Sequence, residues 1–139
     1  MVDDHPVLRY CALLYALGLA LHTADHLRRG LDVVTPQVLW VGNISTALGI
    51  TVAVLVILGH RHGPLLAATT GIPVALGVAA VHLLPKWSAL SDPFVGARNT
   101  GVTALSWTVV LVEIVGAVAM GVAGLAVVRG QRDRAVLSR

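Results

Sequence analysis

Residues Gln37–Gly59, QVLWVGNISTALGITVAVLVILG, contain no charged side chain. A helix rises about 1.5 Å per residue, and about 20 apolar residues cross the hydrocarbon of a bilayer. This stretch is therefore long enough to span one, with Trp40 at interfacial depth. Three other stretches share its character. Pro6–Ala24 carries Arg9 near its start; Pro64–Leu84 has no charge beyond any proton on His82; Gly101–Val128 has one ionisable residue, Glu113. Over all 139 residues, 56% are hydrophobic and 12% charged, against about 25% charged in a soluble domain. The expected fold is an all-α integral membrane protein of four transmembrane helices in an antiparallel bundle. One domain then covers residues 1–128, and a basic tail covers 129–139.

The ends of the spans are marked. Pro6 suits a first helical turn, where no backbone donor is needed. Arg28 and Arg29 followed by Gly30 end a helix, with cations at the negative end of its dipole and a residue tolerant of positive φ. His60–Pro64 is a tight turn, and Pro73 is expected to kink the third span. Lys86–Thr100 is the longest loop. Trp87 and Phe94 place it at the membrane surface, and Asp92 before Pro93 reads as the N-cap of a short surface helix. The acidic Met1–Pro6 and the lack of a small-residue cleavage motif indicate that the first span is retained, not a signal peptide. Cys11 stands alone, which excludes an intramolecular disulfide and a multi-thiolate metal site.

Four antiparallel spans put Arg9, Arg61, Arg129, Arg132, Arg134 and Arg139 on one side and Arg28, Arg29, Lys86 and Arg98 on the other. Six against four places both termini in the cytoplasm, in a multi-pass protein of the cell membrane. The net charge of +3 then reflects topology and not a nucleic-acid partner. The same alternation brings His22, Asp25, His26, Asn43, His82, Ser88, Ser91 and Asp92 to one rim, expected to be the outer one. Glu113 is reached from that side about three turns into the fourth span.

His22 and His26 are four residues apart, the spacing at which one helix offers two imidazoles to a metal. His82 supplies a third ligand from another span, and Asp25 or Asp92 a fourth, or a partner that orients an imidazole. Glu113 is the one carboxylate deep in a span, where an ionisable group is expensive and functional by default. It is expected as base, proton carrier, metal ligand or partner of a histidine, with Asp92 the other catalytic candidate. Tyr15, Gly18, His22, Asp25 and Arg29 form a single helical stripe. His26, Arg28 and Arg29 are also explained as a helix end whose cations snorkel among headgroups, and Asn43 as an interhelical hydrogen-bond partner. No nucleophile elbow surrounds Ser88 or Ser91.

Three functions follow as expectations. The first is a site for zinc or a similar divalent ion, with metal-dependent hydrolysis of a lipid-like substrate. The second is redox, with haem b held between His22 or His26 and His82, or a linked quinone. The third is a non-catalytic accessory subunit of a larger membrane complex, or a small transporter formed by homo-oligomerisation. The lipid bilayer is a partner in all three.

Overall fold

The computed structural model describes residues 5–96 and 100–137. Arg98 and Arg139, counted above for orientation, and the acidic residues before His5 lie outside that range. Four helices follow one another: α1 (Pro6–Arg29), α2 (Pro36–Ile57), α3 (Gly63–His82) and α4 (Ala104–Leu137). There is no strand among the described residues. Each helix is long and apolar enough to cross a membrane, and the protein is a multi-pass, all-α bundle.

Local chemistry sets the boundaries. A proline occupies the first turn of α1, α2 and α3, where its missing N–H is no loss. The Thr35 hydroxyl caps α2 by accepting from Val38 N at 3.2 Å. α1 stops at Arg29 because Gly30 turns to φ +93°, a conformation open to glycine at little cost. α3 continues through Pro73 as one helix. α4 runs for 34 residues, about 50 Å at 1.5 Å each, so the described part of the basic tail continues that helix.

α4 packs extensively along both α1 and α3, while α1–α2 and α2–α3 contacts complete the ring. Small residues allow this. A Cβ on Gly18 would lie 2.6 Å from the Cα of Glu113, and one on Gly71 would lie 2.5 Å from the carbonyl oxygen of Ala117. Gly18→Val is accordingly expected to lose about 1–3 kcal/mol by forcing α1 and α4 apart. Denaturant unfolding in detergent micelles measures this, with Gly77→Ala, which has open space around it, as the neutral control.

The distribution of side chains is reversed from that of a soluble bundle. Leu17, Ile50, Leu76, Val115 and Val122 face outward, while His22, Asp25, Arg29, His82, Ser106 and Glu113 are buried. In lipid that is the stable arrangement, since polar groups find their partners only inside. The whole stripe from Tyr15 to Arg29 points inward.

The α3–α4 loop departs from expectation. No helix starts at Asp92. Instead the Asp92 N–H donates to Val81 O at 3.1 Å and the Phe94 N–H to His82 O at 2.8 Å. The loop thus folds back and satisfies carbonyls that the end of α3 leaves without helical donors. Ser91 Oγ accepts from Trp87 N at 3.1 Å and from Ser88 N at 3.2 Å, which tightens the turn. Trp87 is exposed as expected for a surface residue, but Phe94 is buried, with its ring centroid 4.8 Å from that of His82.

Candidate metal centre

Two histidines come from α1 and one from the last residue of α3. One helical turn separates His22 from His26, so both project from the same side of α1. His82 meets them because α3 runs in the same direction as α1 and so ends where α1 ends. Ring centroids lie 4.8 Å apart for His22–His26, 4.8 Å for His22–His82 and 5.6 Å for His26–His82. One nitrogen from each ring falls within 4.8 Å of the other two.

Two of the rings are oriented from behind. His22 Nδ1 is hydrogen-bonded to the Glu113 carboxyl group, in a contact buried inside the bundle. Gly18 makes that contact possible by letting the α4 backbone come close beside α1. His82 Nδ1 donates to the backbone carbonyl of Asp92 at 3.0 Å. A carbonyl can only accept, so the proton sits on Nδ1 and the lone pair on Nε2. Histidine ligands in metal sites are commonly held in this way, with the second ring nitrogen bound to a carboxylate or carbonyl. His22 Nε2 and His26 Nδ1 are buried and have no hydrogen-bond partner, an expensive condition for polar atoms.

The donor set fits a metal ion. Nitrogens 2.0–2.1 Å from a tetrahedral zinc are about 3.3 Å apart, which puts ring centroids at about 5 Å. The observed rings are close to that spacing, and one nitrogen of each lies within 4.8 Å of the other two. Three imidazoles, those of His22 and His82 buried and that of His26 partly so, could hold one ion here.

No known protein family, characterised protein or solved structure matches the chain. The chemistry of the site therefore rests on its own residues.

Around the histidines, charges are paired. Arg29 is completely buried and holds Asp92 through both ends of its guanidinium, Nη1–Oδ2 at 2.7 Å and Nη2–Oδ1 at 2.8 Å. Its Nε donates to Thr100 O at 3.0 Å, and its guanidinium lies 5.3 Å from the Phe94 ring centroid. Burial pushes the Asp92 carboxyl up, but the hydrogen bonds and charge of Arg29, with His82 and His26 adding, outweigh it and hold the group below its ordinary value. Asp92 Oδ2 is 3.5 Å from His82 Nδ1 and 4.0 Å from His26 Nδ1. Arg28 reaches Asp25 Oδ1 at 2.9 Å, Gly101 O at 2.8 Å and Ser106 Oγ at 3.2 Å.

Several expectations change. Arg29 does not snorkel to the headgroups; a buried carboxylate from the loop draws it inward, and Arg28 is likewise tied to Asp25. His26 does more than end a helix, since its ring belongs to the cluster. Asp25 turns to Arg28 and stands outside the group of converging donors. Its Oδ2 is buried without a hydrogen-bond partner. Asn43 faces outward from α2, beside a surface cavity lined by Pro36, Leu39 and Trp40. Asp92 is engaged by Arg29, and Glu113 by His22. Sequence reasoning missed Arg29 as part of the site, although its place on the buried stripe was the available signal.

Proposed function

We propose that this protein binds a single divalent transition-metal ion such as zinc at the outer face of the cell membrane, through His22, His26 and His82. The convergence of three imidazoles with two buried ring nitrogens that lack a hydrogen bond is the observation that carries the reading. Glu113 and the Asp92 carbonyl then fix ring orientation and raise ligand basicity. Three protein ligands leave a fourth coordination position, as in catalytic zinc sites, where bound water becomes a nucleophile near neutral pH. Hydrolysis of a lipid-like molecule reaching the site along the membrane is the reaction class that fits an ion held at the end of such a bundle. Haem is disfavoured: the His22 and His82 rings meet edge to face at 4.8 Å, leaving no gap for a porphyrin plane between two axial ligands. The outward assignment of the site rests on Arg9, Arg61, Arg129, Arg132 and Arg134 gathering at the opposite end.

Elemental analysis of the purified protein tests the reading. About one ion per chain is expected, and the double variant His22→Ala, His82→Ala should retain almost none. Equal metal content in the double variant and the parent would overturn it.

A further inference from the structure

The loop between α3 and α4 touches the histidine cluster through Asp92 and Phe94, and Arg29 of α1 grips Asp92 and lies against the Phe94 ring. We infer that Arg29 is a positioning residue for the metal centre, acting through Asp92 to lock His82 in place and to retard release of the ion. The inference rests on the cluster being a metal site and concerns how that site is regulated.

The connection is short and continuous. The Arg29 guanidinium is fixed on four sides, by the two Asp92 oxygens at 2.7 and 2.8 Å, by Thr100 O at 3.0 Å and by the Phe94 ring. A planar fork can hold a carboxylate through two parallel bonds, which sets both its position and its tilt. Asp92 held in this way presents its backbone carbonyl to His82 Nδ1 and its backbone N–H to Val81 O. The carbonyl fixes which nitrogen of His82 keeps a lone pair, and the N–H anchors the loop on the end of α3. Phe94 completes the cover, its ring in contact with both Arg29 and His82 and its N–H bonded to His82 O.

Opening the loop therefore removes the carbonyl from His82 and the cover from the cluster in one movement. Conversely, an ion that pulls on His82 holds Asp92 and the loop in place. Arg29 lies on α1, the helix that carries His22 and His26, so the pair ties the third ligand to the helix that bears the other two. Arg28, one residue earlier, pairs with Asp25 of α1 and reaches Gly101 O and Ser106 Oγ, but it holds no residue that touches the histidines.

The test uses the full chain in detergent, loaded with zinc and then challenged with excess chelator. Arg29→Lys keeps the charge but loses the fork. It should release zinc about 10–100-fold faster than the parent, the usual penalty for disturbing a group that orients a metal ligand. Lys86→Ala, in an exposed part of the same loop, should release zinc at the parent rate. A parent that binds one ion beside an Arg29→Lys variant that releases it equally slowly would overturn this inference and leave the metal site standing. A parent that binds no ion would instead overturn the site. A second measurement needs no variant: adding zinc to the unmodified protein should slow hydrogen exchange at the Asp92 and Phe94 amides about tenfold, as expected for amides whose exchange requires local opening. Unchanged exchange in the zinc-loaded protein would equally overturn the inference, whether or not Arg29→Lys folds.

Discussion

Alanine at His22 is expected to weaken zinc binding by a hundred- to thousandfold, more than any other single change near the cluster. Structural zinc binding amounts to about 10–16 kcal/mol, so one ligand's share among four is about 2.5–4 kcal/mol. His22 is the ring with the greatest effect because it is joined to both α3 and α4. It touches both other imidazoles and is bound from behind by Glu113. Its loss also strands the Glu113 carboxyl in the bundle interior, at a further cost of about 1–3 kcal/mol of stability. Glu113→Gln is expected to behave differently. It keeps a hydrogen-bonding partner for His22 but loses the carboxylate, so zinc affinity should fall about 10–100-fold while the helix packing survives. Competition with a zinc-sensitive dye, together with unfolding curves for both variants, checks the contrast. Equal losses of affinity in the two would mean that Glu113 itself binds the ion.

The fold was legible because lipid imposes few solutions. A run such as Gln37–Gly59 with no charge can be stable only as a span, and four such runs with short connections make an antiparallel bundle. The stripe from Tyr15 to Arg29 was legible for the same reason: polar residues repeated at helical spacing must share a face. That His22 and His82 meet follows from strand-like alternation of direction, which puts the end of α1 beside the end of α3. What could not be read was the conformation of the α3–α4 loop. Asp92 before Pro93 satisfies a helix-capping pattern locally, but the end of α3 supplies unpaired carbonyls and Arg29 supplies a buried cation. Both are tertiary partners, and together they outweigh the local preference. Arg29 was misread in consequence, since an arginine at a helix end snorkels unless some carboxylate is brought to it. The partner of Glu113 was ambiguous in sequence because depth within α4 is set by the close approach at Gly18, which no periodicity reveals.

Arg29→Met should destabilise the protein by about 3–5 kcal/mol, because it leaves a carboxylate buried without its cation. The effect belongs to the stranded charge and not to the bond alone, as a double variant can show. Arg29→Met combined with Asp92→Leu removes both charges and should recover most of that loss, since apolar replacements of a buried pair are often neutral or better. Zinc release should not recover with it. The double variant lacks the grip that aims the Asp92 carbonyl at His82, so its zinc should leave as fast as from Arg29→Met. Recovery of stability without recovery of zinc retention would separate the structural cost of the buried charges from their effect on the ligand. The same pair gives a pH dependence of definite sign. The Asp92 carboxyl titrates lower in the folded chain than when unfolded, so its contribution is complete above the ordinary aspartate value of about 3.9. It is lost as the pH falls below that, through the folded-state value. The metal-free parent should therefore lose stability on acidification below about pH 4, and the double variant should lose less over the same range. Unfolding curves taken at steps between pH 6 and pH 3, set about the aspartate range, provide the measurement.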